Sequence, residues 1–226
     1  MIKIIGSIIA FFIISNLSGQ NIELSGGLNR NHYFDWQKSE GHFMSDYTPG
    51  SGYCADLSLS DLKYDIFTIK VSFLLDNYKG SFYTEDGGMG GASKTVAEVE
   101  RTTIGIGIYP LNFSVVSRIY LSFGAEFSYK ISDNTNGYKS GWVMYGPTTY
   151  MTIENDSMKI NKDFVWGISA GAGYALKLST DWSITPQYKL YLGMSDEFTN
   201  TEARIRSLRH NFKIGIIKRI NIDRAE

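Results

Sequence analysis

Apolar and polar side chains alternate with period two through most of the chain. The clearest stretch is Ile119 to Lys130, where Ile119, Leu121, Phe123, Ala125, Phe127 and Tyr129 oppose Tyr120, Ser122, Gly124, Glu126, Ser128 and Lys130. Successive side chains of a strand point to opposite faces, so period two predicts a strand with one apolar and one polar face. The same pattern predicts strands near residues 22–33, 51–60, 66–78, 96–109, 163–177, 182–193 and 206–217, and Leu74 interrupts the alternation in the third of them. Most are close to the roughly 9 to 11 residues with which a tilted strand crosses a bilayer.

The links between these strands alternate in length. DLKYD, PLNFSVVSR and LSTD are short, whereas FDWQKSEGHFMSDYTPG, TEDGGMGGASK and the stretch from Ser132 to Lys162 are long and polar. Short turns at one end and long loops at the other describe a transmembrane barrel with periplasmic turns and extracellular loops.

Period two alone leaves open which face is inside. The polar face carries Gly27, Gly52, Gly105, Gly107, Gly124, Gly167, Gly171, Gly173, Gly193 and Gly215, while the apolar face is bulky. Glycine suits close approach in a crowded interior, and an eight-stranded barrel has an interior just wide enough to be filled by side chains. The polar face is therefore expected inside. Glu23, Asp56, Asp76 and Glu126 would then meet Lys70, Lys130, Lys177, Lys189, Arg209 and Lys213, plugging the lumen instead of lining a pore. The apolar face would look into lipid, with Tyr109, Tyr129, Trp166 and Trp182 as interfacial aromatics.

Residues 1–20, MIKIIGSIIAFFIISNLSGQ, combine Lys3, a short apolar run and small residues at Ser18 and Gly19, the layout of a cleaved signal peptide. Residues 21–226 then form one barrel domain. Removing the leader takes the net charge from -1 to -2, which gives no basic field for nucleic acid. Cys54, the only cysteine, excludes an internal disulfide and a thiolate metal cluster and reads as a small strand residue.

In the order ELSGGLN, FTIKVSFLLDNYKG, TTIGIGIYPL, RIYLSFGAEFSY, DFVWGISAGAGYAL and WSITPQYKLYLGM, the chain resembles the small outer-membrane β-barrel family that includes PorT-like proteins. The resemblance implies an outer-membrane location and admits a part in a secretion apparatus. It is one of pattern and covers nearly all of residues 21–226. Two departures stand out: the chain continues past Ile220 as NIDRAE where such barrels commonly end on an aromatic residue, and Pro186 removes a ladder donor inside a strand, which predicts a bulge or a bent strand end.

Chemistry-bearing motifs are sparse. His32, His42 and His210 show no metal spacing, and neither a catalytic residue nor a cofactor or metal site is expected. A lipid-modifying enzyme could use His210 with Ser207 and Glu202, but Ser207 falls on the opposite face from His210, and a nucleophile must reach its base. DNTNG, residues 133–137, lacks the acidic positions of a calcium loop and reads as a solvated turn. GGMGG, residues 87–91, precedes no Lys-Ser/Thr pair and reads as a loop tip. GWVMYGPTTYMTI, residues 141–153, reads as a hairpin beyond the membrane and a surface for adhesion or partner binding.

The expectation is thus an all-β, eight-stranded antiparallel transmembrane barrel in the outer membrane. Its partners would be outer-membrane lipid and other envelope or secretion proteins, and its role structural, adhesive or secretion-accessory. The alternatives are a lipid-modifying barrel enzyme and a secreted, lipocalin-like binder of an apolar ligand.

Overall fold

Where β-branched and aromatic residues alternate with small polar ones, the backbone extends and pairs. The computed structural model describes residues 20–37, 42–64, 67–116, 118–154, 157, 159–199, 201 and 203–220. The signal-peptide reading lies almost wholly outside them. The strands are β1 (Gln20–Gln37), β2 (His42–Tyr64), β3 (Phe67–Gly88), β4 (Gly91–Val116), β5 (Ile119–Val143), β6 (Thr149–Ile153), β7 (Phe164–Tyr174), β8 (Leu176–Lys177), β9 (Trp182–Gly193) and β10 (Arg204–Ile220). Pairing runs β10-β1-β2-β3-β4-β5-β7-β9, and β9 pairs with β10 to close a ring of eight antiparallel strands. Closure leaves no open edge within the ring, as strands in lipid require. The remaining two strands are β6, which pairs with the outer part of β5, and β8, which continues β7 along β9.

The bulky face points outward. Leu28 is 68% exposed, Ile214 65% and Phe123 41%, and Leu24, Leu57, Phe73, Ile104, Ile106, Ile108, Phe127, Ile168 and Ile216 share that surface. A soluble protein does not present an apolar belt of this size to water, so its solvent is the hydrocarbon of a membrane. The lipocalin-like alternative needs the opposite arrangement. Tyr129, Trp166 and Trp182 face outward as girdle residues should, but Tyr109 does not. It is buried in the lumen and donates to Glu126 Oε1 at 2.7 Å, in keeping with its place on the Gly105-Gly107 face.

Strands β2 to β5 are 23, 22, 26 and 25 residues long, about twice what the bilayer requires. Much of what reads as polar loop is regular strand: TEDGGMGGASK is the tip of the β3–β4 hairpin, turning at Met89–Gly90, and DNTNG is a paired part of β5 and not a turn. The reason is a change of solvent along each strand. On β4 the outward residues are Ile104, Ile106 and Ile108 in the membrane but Lys94, Glu98 and Glu100 above it, while Ala97 and Val99 point in. On β5 the switch coincides with a bulge: Thr103 pairs with Lys130 and Thr102 with Ser132, leaving Ile131 as the extra residue. Beyond it the parity reverses, so that Thr135 is buried and Asn134 and Asn136 are exposed.

Pro186 produces the expected irregularity. It pairs with Ile214 on the β10 side, whereas on the other side the ladder stops at Gly173–Gln187 and resumes at Leu176–Ile184. Within that gap the Ala175 amide bonds to the Arg118 carbonyl at 2.7 Å.

Candidate functional site

The lumen is built in layers. Nearest the end where β1 begins and β10 ends, Glu23 accepts from Lys70 Nζ at 2.7 Å, from Gln187 and from Thr185. Above it Asp56 takes Lys213, and Lys189 lies 2.9 Å from Glu126 and 3.7 Å from Asp56. Next, Arg209 donates to Asp76 at 3.1 Å and is stacked between the Tyr191 and Tyr78 rings, 3.8 and 4.6 Å away. Higher still, Arg101 donates to Glu197 Oε2 at 2.6 Å and to Asn161, while Ser207 donates to the other Glu197 oxygen. Cys54, as read, is a small buried side chain in this wall.

Among the described residues the buried charges are Glu23, Asp56, Asp76, Glu126 and Glu197 against Lys70, Lys189, Lys213, Arg101 and Arg209, so the interior is neutral. Arg101 and Glu197 join the set expected from sequence. Lys177 leaves it, because β8 places it exposed at the turn end. Lys130 sits at the rim, 3.1 Å from Asp133 and 3.2 Å from Asp163.

Glycines make the packing possible. A Cβ on Gly173 would fall 2.2 Å from the Tyr120 ring, and one on Gly124 would fall 2.1 Å from the Ile108 carbonyl oxygen, so no larger residue fits either place as it stands. The mid-lumen space between Asp56, Lys70, Tyr109, Tyr120, Lys189 and Lys213 is about 10 Å³, the room of one water. Leu74, which breaks the third strand's alternation, is buried in this interior.

Above the charged layers an apolar cluster closes the extracellular half: Tyr33, Phe82, Ala97, Val99, Ile153, Ile160, Phe198 and Ile205. Its lids are the segments around Ile160 and Phe198, joined by the Asn161–Phe198 bridge and by Thr199 N to Ile160 O at 2.6 Å. No sequence pattern announces this cluster, because Ile153, Ile160 and Phe198 stand in irregular or short segments. Beside it Tyr47 donates to Asp35, and burial together with that carboxylate raises its pKa above the ordinary tyrosine value.

Outside the barrel a β5–β6 hairpin is present, paired Gly141–Thr149 to Gly137–Ile153, so that its first arm lies mostly before the GWVMYGPTTYMTI stretch and only β6 and the turn fall within it. It exposes Trp142, Val143, Met144, Tyr145, Tyr150 and Met151, with Tyr138 and Tyr150 stacked at 5.4 Å. Residues 141–153 contain no charged side chain.

Among the described residues His32 and His210 do not assemble a catalytic group. His210 lies on the outer face, its Nδ1 2.6 Å from Tyr188 Oη and its ring edge-on to His32 at 5.7 Å, whereas Ser207 is fully buried in the lumen. Glu202 and the His42 side chain lie outside the described residues.

No protein-family model matches the chain, and no curated protein does. Among solved structures it is similar to Neisserial surface protein A (11% identity, TM-score 0.43, covering 88% of this chain and 97% of that one). It is also similar to the outer membrane protein AlkL in lipid bilayers (9%, 0.42, 91% and 93%) and to OprG from Pseudomonas aeruginosa (9%, 0.39, 92% and 98%).

Proposed function

We propose that this small outer-membrane β-barrel is a non-enzymatic adhesive or accessory protein that acts through its extracellular sheet. The observation that carries the reading is the contrast between its two surfaces. The lumen is neutral, filled and capped, so it offers no route for a solute. Two adjoining hairpin tips, joined by the Met144 amide donating to the Gly90 carbonyl, instead present Met89 from β3–β4 and Trp142, Met144 and Tyr145 from β5–β6 to the outside, Met89 and Tyr145 at 97% exposure. Exposed aromatic and methionine side chains in an uncharged patch are what a protein contact recruits. The separation of Ser207 from His210 across the barrel wall argues against lipid hydrolysis. A PorT-like, secretion-accessory role is one form of this reading, in which the partner belongs to the same cell envelope; an adhesive role is the other, in which it lies on a facing surface.

The test is a photo-crosslinking residue at Tyr145 in intact cells, with the same residue at lipid-facing Phe123 as control. A discrete adduct is expected from position 145 and not from 123, and Trp142→Ser with Met144→Ser should abolish it. Adducts that persist in that double variant, or none from the tip under any growth or contact condition, would refute the proposal. An adduct formed in isolated cells favours the envelope partner; one that needs a second surface favours adhesion.

A further inference from the structure

At the outer rim of the barrel, where β5 bulges at Ile131 and β7 begins, there is a depression of about 690 Å³. Lys130, Lys159, Lys162, Asp133, Asp163 and Phe164 line it. Asp133 and Asp163 are both engaged by Lys130, at 3.1 and 3.2 Å, and Lys162 reaches Asp196 only at 3.6 Å. The Lys159 side chain has no ion-pair partner among the described residues and is exposed. Among the lining residues three lysines face two aspartates, a balance of one positive charge, and Lys159 is the one that no described carboxylate engages.

Lys159 is also held in an unusual backbone conformation, with φ at +50°. Glycine adopts that region freely, whereas a lysine there is strained, and such strain persists where the surrounding structure holds it and a function uses it. Here the holders are Thr199, whose hydroxyl donates to the Lys159 carbonyl at 3.1 Å, and Ile160, buried in the apolar cluster one residue on. They fix the lysine at the mouth of the depression.

The lower wall belongs to the membrane. Phe164 is 52% exposed on the lipid-facing surface and stacks on Phe127 at 6.5 Å, with Tyr129 and Trp166 beside them. A ligand filling this site would meet ammonium groups at its upper end and aromatic faces in hydrocarbon at its lower end. We infer that the depression binds the phosphoryl headgroup of an outer-leaflet lipid, with Lys159 and Lys162 on the phosphate and Phe127 and Phe164 along the start of an acyl chain. Ammonium groups bind phosphate as point charges, which suits a shallow, partly wet site. This inference is independent of what the hairpin tip contacts.

The experiment places the full barrel in phosphatidylcholine nanodiscs doped with bisphosphorylated lipid A or with its dephosphorylated form, and measures retained lipid by native mass spectrometry. The native chain should retain the bisphosphorylated lipid and not the dephosphorylated one. Lys159→Gly removes the ammonium and relieves the backbone together: retention should fall about tenfold, the equivalent of one partly exposed charge-assisted hydrogen bond, while the unfolding temperature holds or rises. Equal retention of the two lipids, unchanged retention in Lys159→Gly, or a lowered unfolding temperature in that variant would overturn the assignment. So would displacement of the lipid by inorganic phosphate at equal concentration, which would make this a free-anion site.

Discussion

Replacing Arg101 with methionine tests the layer that holds the extracellular lids onto the barrel. Arg101 and Glu197 are both fully buried, and Arg101 donates to Glu197 Oε2 at 2.6 Å, to the Glu197 carbonyl at 3.2 Å, to Tyr78 at 3.2 Å and to Asn161. Removing one member of a buried pair typically costs about 3 to 5 kcal/mol, because the other charge is left without compensation. Glu197 would keep its bonds from Ser207 and from Tyr78, so the lower end of that range, about 3 kcal/mol, is expected for Arg101→Met. Adding Glu197→Gln removes the stranded charge, keeps one acceptor oxygen and puts an amide NH2 donor in the other position, where a hydroxyl of Ser207 or Tyr78 can turn to accept. The double variant should recover about half the loss, leaving a deficit of roughly 1 to 2 kcal/mol. Urea unfolding from lipid vesicles, followed by tryptophan fluorescence, measures all three proteins. A loss below about 1 kcal/mol in Arg101→Met, or a double variant less stable than the single one, would refute the claim that this pair is a dry, coupled clamp.

The face assignment makes further predictions. Phe123→Arg should lose about 2 to 4 kcal/mol by placing a charge in the hydrocarbon, and Phe123→Leu should change folding yield little, since lipid accepts either shape. Gly124→Ala should fail to assemble or lose at least about 1 to 3 kcal/mol, because its Cβ would sit 2.1 Å from a backbone oxygen of β4; a tolerated Gly124→Ala beside a damaging Phe123→Leu would reverse inside and outside. In planar bilayers the native protein, and Arg101→Met too, should show no stable conductance, since Arg209–Asp76 and the Lys189 layer remain below the clamp; reproducible porin-like steps would contradict a filled lumen.

The membrane-spanning part was legible because one physical rule governs it. Lipid outside and a crowded interior force bulky side chains one way and glycines the other, and stretches such as TTIGIGIY and RIYLSFGAEFSYK carry that rule without interruption. Above the bilayer the rule reverses. Lys94, Glu98 and Glu100 face water while Ala97 and Val99 face the core, and on β5 the bulge at Ile131 shifts the parity, so the alternation stops at Lys130 although the strand runs to Val143. Of the two lumen charges absent from the expected set, Arg101 lies inside the predicted 96–109 strand in register with Gly105 and Gly107, so its register pointed inward, whereas Glu197 lies in an irregular segment after β9 where no register exists. Tyr109 was misplaced because an aromatic at a strand end reads as a girdle residue. Its register on the glycine face, two residues from Gly107, was the better guide. The hairpin in 141–153 could be read because the segment still alternates, weakly, beyond the membrane stretch.

The central claim is that the apolar face meets lipid and the polar face encloses a dry, filled lumen. Spin labels on single cysteines, in a Cys54→Ser background, test it position by position along β5. In lipid vesicles, labels at Leu121, Phe123, Ala125 and Phe127 should be readily relaxed by oxygen, which dissolves in hydrocarbon, and little by a water-soluble nickel chelate. Labels at Ser122 and Ser128, where they can be accommodated, should be shielded from both. An oxygen response with period two in that phase is the predicted result. The opposite phase, or strong nickel access at the serine positions, would contradict the account.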